Sequence, residues 1–295
     1  MENGRYFLPT LALTNKIHLF MVAACGLLLS ITVTGICFTS DPIWKNALAT
    51  VAALLPISTL PALIWHDRRQ YEKRDTALTL PWVVFLGTLI PVLTVLSART
   101  RFPLRDGLFI ELDQTIGFSV PAIMAWVSQH RIIKLVLDRS YVSLSWLLLP
   151  ATLVPVLAGK RESAERFLAA NTIAFLMALP VFTALPAIGP WVGYNFAGNP
   201  AQKACEASIV ALQAGGPSGE LGIICFPSFH TIWAVLSVVA LWPFRSLRVP
   251  SSLLASLIVI STVTTGWHYV SDVFAGLLFA GISLACADRF VRRTQ

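Results

Sequence analysis

Eight times in this sequence, charge disappears for the length of a membrane crossing. Runs without Asp, Glu, Lys or Arg cover Ile17 to Phe38, Asn46 to Trp65, Thr76 to Ala98, Ser140 to Gly159 and Phe167 to Gln202. Three more cover Leu221 to Phe244, Val249 to Trp267 and Val273 to Ala287. A bilayer core needs roughly 20 apolar residues per helix. Within lipid every backbone N–H and C=O must find its partner inside the segment, which leaves helices or closed barrels. Runs this long and this unbroken specify helices. Only 13% of the 295 residues are charged, against about 25% in a soluble domain, so the chain cannot clothe a water-soluble surface. The reading is an all-α, polytopic membrane helix bundle of about eight transmembrane helices. Ile17 to Phe38 is too long for a signal-peptide core and is followed by no small-residue cleavage pattern, so it reads as a retained helix. No internal repeat, low-complexity tract or soluble domain interrupts the pattern.

Eight spans place both termini on one side. With that side in the cytoplasm, fourteen of the 22 Lys and Arg lie inside, among them Arg68, Arg69, Lys73, Arg74, Lys160, Arg161 and Arg166. This is the distribution the positive-inside rule favours. The net charge of +7 then reflects topology. No basic stripe with interleaved aromatics is present, so a nucleic-acid partner is not expected. One cluster breaks the rule: Arg99, Arg101, Arg105, Arg131, Lys134 and Arg139 fall outside, partly offset by Asp106, Glu111, Asp113 and Asp138. It is either a solvated interfacial segment or a source of one or two arginines for an anionic substrate.

Of the five histidines, His18 and His66 sit at span ends, and His130 lies in the outer basic segment. His230 and His268 both fall at the outer ends of spans, on one face of the membrane. His268 belongs to GWHYVSDVFAG, residues 266 to 276. Asp272 follows it by four residues, a spacing that puts both on one helix face within contact. A carboxylate there fixes the imidazole tautomer and stabilises its cation. Ionisable groups in an apolar helix are functional candidates by default. His230 belongs to CFPSFHTIWAV, residues 225 to 235. Pro227 reads as a helix start. The N–H groups of Ser228, Phe229 and His230 are then first-turn donors, an anion site to which the Ser228 hydroxyl adds a further donor. Ser228 also reads as a plain helix cap. Phosphate is the anion that best suits a helix N-terminus flanked by two histidines.

FPSFH at 226 to 230 together with GWHYVSDVFAG resembles the type 2 phosphatidic acid phosphatase superfamily. The Phe before Pro227, the His268–Tyr269 pair and the closing Gly276 look most like its inositol phosphorylceramide synthase-like, inositolphosphotransferase branch. The resemblance spans roughly residues 100 to 288. It implies a six-helix catalytic core within residues 99–295, with residues 1–98 supplying N-terminal transmembrane helices to the same structural unit. It implies a lipid phosphotransfer enzyme in which His268 takes the phosphoryl group, Asp272 orients it, His230 protonates the leaving oxygen, and Ser228 with adjacent N–H groups binds phosphate oxygens. Such a reaction needs no cofactor or metal. The substrate is a phospholipid or sphingolipid, with membrane lipids as surroundings and protein partners undefined. The active site faces the periplasm or exterior of the cytoplasmic (inner) membrane.

Two departures bear on the branch. Phosphatase members carry an arginine six residues before the second histidine, where this chain has Thr262. They also carry an early Lys and Arg-Pro motif, whose nearest candidates here, Lys160 and Arg166, belong to the opposite side. Arg101, Arg105, Arg131 and Arg139 are the substitutes the sequence offers. Two readings share the phosphohistidine: water resolves it in a phosphatase, and a lipid or polyol hydroxyl resolves it in a transferase. A third reading makes His230, His268 and Asp272 an ion or proton path in a transporter, although these groups gather at one face and do not run through the bilayer. A facial metal site from the same three residues is also weighed; Asp272 is better placed to hold His268.

Residues 186 to 226 form an outer loop. PAIGPWVGYNFAGNP, dense in Pro and Gly, opens it and reads as turns. ASIVALQA has weak helical character, and GGPSGELG leads back toward the sixth span. The loop is expected to cover part of the pocket. Cys205 and Cys225 flank it on the oxidising side. A disulfide between them would close a loop of about 20 residues and contribute about 3 kcal/mol in the chain-entropy model.

Overall fold

The computed structural model describes residues 16–37, 43–217 and 225–291. The 218–224 part of the outer loop, and Arg5, Arg292 and Arg293, lie outside the described residues. All regular structure among them is helical. The elements are α1 (Lys16–Cys37), α2 (Ile43–Asp67), α3 (Tyr71–Ala77), α4 (Thr79–Ala98), α5 (Asp106–Thr115), α6 (Val120–Ser128) and α7 (Arg131–Val142). They continue as α8 (Leu144–Leu157), α9 (Arg161–Ala184), α10 (Pro190–Gly193), α11 (Pro200–Gln213), α12 (Phe229–Leu241), α13 (Arg245–Thr264) and α14 (Val270–Val291).

Five helical stretches are long and apolar enough to cross a membrane: α2, α3 with α4, α9, α13 and α14. The number rises to seven if the bent pairs α5–α6 (75°) and α7–α8 (44°) each count as one span, and Ile17–Val33 of α1 and Phe229–Leu241 (α12) are shorter apolar stretches. Every expected span thus contains a helix. In the run from Phe167 to Gln202 the helix ends at Ala184, where Pro186, Gly189 and Pro190 turn the chain, in line with the outer loop expected from residue 186. The outer basic segment differs from the sequence reading in being itself helical, as α5, α6 and α7.

Interior α9 and α14 pack together most extensively, and their sequences explain it. Gly276, Ala280, Ser283 and Ala287 recur every three or four residues and are all buried on α14. Ala170, Ala174 and Ala178 do the same on α9. Small residues at this period let two helix backbones approach closely, the usual solution where lipid removes the hydrophobic drive between helices. Helix α12 packs between α8, α13 and α14. On α1 the stripe Ile17, Met21, Cys25 and Leu28 joins the same core, while Leu19, Val22, Leu27 and Leu29 remain exposed. A helix that is apolar on both faces is suited to lipid on one of them.

The two ends of α14 carry different chemistry. Its C-terminal Asp288 forms an ion pair with Arg166 of α9 (Nε–Oδ1 2.5 Å). Asp272 lies sixteen residues earlier, about 24 Å away at 1.5 Å per residue. Arg166 therefore cannot serve a site built on Asp272.

Candidate active site

The site forms where three connections meet. Helix α12 begins after a cis Phe226–Pro227 peptide. Ser228 is its N-cap, so Pro227 stands one residue before the cap and not inside the helix. The Ser228 hydroxyl oxygen accepts from the Thr231 N–H (3.3 Å) and hydroxyl (3.2 Å). The Ser228 N–H donates to the backbone carbonyl of Asp272 (3.1 Å), which ties the start of α12 to the start of α14. That approach requires Gly276: a Cβ there would lie 2.8 Å from the Ser228 carbonyl oxygen and 2.9 Å from the Thr231 Cβ. With the Ser228 N–H spent, the first-turn donors left without a described acceptor are the N–H groups of Phe229 and His230, beside the Ser228 O–H. The Phe229 ring is core, packed against Phe175 and Trp233, so only its backbone can serve a ligand.

His268 lies in the turn between α13 and α14. It meets His230 with ring centroids 5.8 Å apart. Two imidazoles at that separation can face one tetrahedral anion. The carbonyl of Thr262 receives the N–H groups of Trp267 and His268 (both 3.0 Å) and fixes the turn, while the Thr262 hydroxyl bonds back to Val259. The Asp272 carboxylate is fully buried. Its Oδ2 faces His268 Nδ1 (3.2 Å) and accepts from the Tyr269 N–H (2.9 Å) and the Cys225 thiol (3.2 Å). The four-residue spacing therefore does place His268 and Asp272 in contact, but as a turn residue held by the first helical turn, since α14 starts only at Val270. Contact through Nδ1 leaves Nε2 as the ring nitrogen for a ligand. Burial pushes the His268 imidazole down to about 4, with a hydrogen bond to the Cys225 backbone pulling the other way, so the ring is neutral at neutral pH.

Two buried acids of α5 hold this turn from a distance. Asp106 accepts from the Tyr269 hydroxyl (2.9 Å) and from the N–H groups of Ile188 (3.1 Å) and Gly189 (2.8 Å). Asp113 accepts from the N–H groups of Val270 (2.9 Å) and Ser271 (2.7 Å), the first turn of α14, where an anionic acceptor suits both the orphan donors and the helix dipole. The sequence reading counted both acids only as charge offsetting the arginines. The available signal was their seven-residue separation, which puts them on one face of α5 with the buried Phe109 between them. Asp113→Ala is expected to leave two buried N–H groups unpaired, at roughly 1–3 kcal/mol each. A thermal melt in detergent should show a lowered midpoint, with Asp113→Asn less damaging because it keeps one acceptor.

Aromatic rings wall the site. Tyr141 of α7 stacks on His230 (4.6 Å between centroids, 17°) and on Trp267 (5.6 Å, 6°). Trp191, following Gly189, meets Trp267 edge-on, and Gln202 of α11 donates to the carbonyls of Thr265 and Gly266. The outer loop thus packs on the His268 turn, as its length suggested. The disulfide does not form: the Cys225 and Cys205 sulfurs are not bonded to each other, and the Cys225 thiol is directed at Asp272. Arg101, Arg105, Arg131 and Arg139 are exposed, and their side chains make no hydrogen bond or ion pair with described residues. The Arg105 backbone is fixed through Pro186 (2.7 Å), on the segment leading to the Asp106-bound N–H groups of Ile188 and Gly189.

No curated protein and no solved structure matches the chain. A model of the PAP2 superfamily matches residues 108–286, more than half of the chain's length, taking in α5 from Leu108 onward, α12 and the α13–α14 turn. With a helical membrane bundle gathering two histidines and an aspartate inside the matched region, the chain belongs to the PAP2 superfamily and is a membrane enzyme of the phosphatase and phosphotransferase type.

Proposed function

We propose that this enzyme transfers a phosphate-containing head group between lipids through a phosphohistidine on His268, as an inositolphosphotransferase-like enzyme. The observation that carries the reading is the meeting of His230 and His268 at the donor-rich start of α12, with Asp272 behind His268. In the first step the Nε2 lone pair of neutral His268 attacks phosphorus. The P–O bond to the leaving group breaks, and His230, which takes up a proton when the anionic phosphate binds beside it, delivers that proton to the departing oxygen, help worth about 10²–10⁴-fold. Asp272 holds Nδ1–H and stabilises the positive charge that develops on the ring. The N–H groups of Phe229 and His230 and the Ser228 O–H receive phosphate oxygens. In the second step an acceptor hydroxyl gives its proton to His230 and attacks phosphorus, and the N–P bond breaks. For head-group transfer the phosphohistidine keeps the head group as a single ester on phosphorus, a phosphoramidate ester. Covalent catalysis divides one hard displacement into two easier ones.

Thr262 favours transfer. Its hydroxyl is spent on its own helix, so the position that resembles the phosphatase arginine brings no charge to phosphate. Arg101, Arg105 and Arg139 are assigned that role. Arg105→Ala or Arg139→Ala is expected to lower kcat/KM by about 10-fold or more, through loss of a charged contact of roughly 1.5–3 kcal/mol, while the protein stays monodisperse. Full activity with Arg101, Arg105, Arg131 and Arg139 all replaced would remove the assignment. Labelled phospholipid supplied with and without a polyol or ceramide acceptor decides between the outcomes. Label in a new lipid, dependent on acceptor and on His268, supports transfer; free phosphate alone makes the protein a lipid phosphatase; ion flux without either product makes it a transporter. The distribution of basic residues supports a site on the periplasmic or exterior face.

A further inference from the structure

The proposed reaction gives Cys225 no step, yet its thiol is buried against the Asp272 carboxylate. The Cys225 sulfur, a ring nitrogen of His268 and a carboxylate oxygen of Asp272 lie within 4.8 Å of one another. The sulfur and the imidazole nitrogen each stand 3.2 Å from the same carboxylate oxygen. Thiolate, imidazole and carboxylate around one point are the donor set of zinc, which takes sulfur at about 2.3 Å and nitrogen or oxygen at about 2.0–2.2 Å. Separations near 3.2 Å are close to those between neighbouring ligands of a tetrahedral ion. A second observation points to a ligand: Asp272 is fully buried and its Oδ1 has no hydrogen-bond partner. A cation beside the carboxylate would supply the missing compensation.

We propose that Cys225, His268 and Asp272 form an inhibitory site for a thiophilic divalent cation such as zinc. This deepens the proposed function by naming a regulator of the same site, and only its inhibition arm rests on that reading. The ion bonds to Sγ, Nδ1 and the Asp272 carboxylate, whose Oδ1 is the oxygen without a partner, and leaves its remaining position to water. Cys225 releases its proton to solvent. The Nδ1 proton of His268 moves to Nε2, because Nδ1 now gives its lone pair to the metal. Nε2–H has no lone pair with which to attack phosphorus, so the metal-bound enzyme is silent without any change of fold. The same thiol explains why this site binds soft metals in preference to magnesium or calcium, which favour oxygen donors.

The test uses the full chain purified in detergent, with Co²⁺ as a spectroscopic probe and Zn²⁺ as inhibitor. The expected result is a near-ultraviolet thiolate-to-cobalt absorption band that is lost in Cys225→Ala and Cys225→Ser and weakened in His268→Ala. Zinc should inhibit lipid turnover reversibly with a chelator. Measured against its own metal-free rate, Cys225→Ser should need at least about 10–100-fold more zinc for half inhibition, the loss expected even when only an outer partner of a metal ligand is removed. The serine variant keeps the shape of the site and guards against a misfolded alanine variant. Absence of the cobalt band in the wild type, or an unchanged band and zinc sensitivity in the Cys225 variants, overturns the proposal. A wild type that shows the band but turns over no lipid keeps the metal site and sinks the proposed function instead.

Discussion

His268→Ala is expected to reduce lipid turnover by about 10⁴-fold or more, the scale on which enzymes lose rate when a nucleophile is removed. The fold should survive. The turn that carries His268 is held by backbone bonds to Thr262, by Tyr269 on Asp106 and by Asp113 on the start of α14, none of which uses the imidazole. Asp272 would keep the Tyr269 N–H and the Cys225 thiol as donors. Elution as a single species with an unchanged melting profile, alongside the loss of product from labelled phospholipid, is the expected pair of results. Retention of a tenth of wild-type turnover would mean that another group attacks phosphorus.

The second large effect is expected from Asp272→Asn. The carboxamide fits the same space but can turn its NH₂ toward His268 Nδ1. The imidazole proton then resides on Nε2, and the nucleophilic lone pair is lost. A comparable carboxylate-to-amide change behind a catalytic histidine costs about 10⁴-fold in kcat with the geometry intact. The loss should fall on kcat, with KM nearly unchanged, because the phosphate donors sit on α12. A loss confined to KM would contradict the orienting role. Asp272→Ala is expected to be worse for stability, since it orphans the Tyr269 N–H as well.

What the sequence disclosed, and what it hid, follows from the range of the interactions. Long charge-free runs determine helices locally, and helices appear where the runs are, five to seven of them candidates to cross a membrane. The pairing of His268 with Asp272 is a four-residue event and was legible for that reason, although the chain realises it at a helix start and not along a helix face. Ser228 was legible as a cap because capping needs only the next three residues. The α5 acids were not legible as supports: Asp106 meets Tyr269 and Asp113 meets Val270 across more than 150 residues, and nothing local distinguishes them from acids that balance nearby arginines. Tyr141 was missed for the same reason, since its stacking on His230 joins the end of α7 to the start of α12 across a long stretch of sequence. Cys225 was misread as a disulfide half because its neighbours in sequence suggest an exposed loop end. The Ser228–Asp272 backbone bond and the close seat of Gly276 draw it inward to the carboxylate.

The central claim is that phosphorus passes through the nitrogen of His268. A phosphoramidate is labile in acid and stable in alkali, so the direct measurement is an alkaline quench during turnover of phosphate-labelled lipid, followed by peptide mapping. The account predicts label on the peptide containing His268, lost on acid treatment and absent from His268→Ala. Label on the peptide containing Ser228, or brisk turnover with no labelled peptide at any time point, would contradict it.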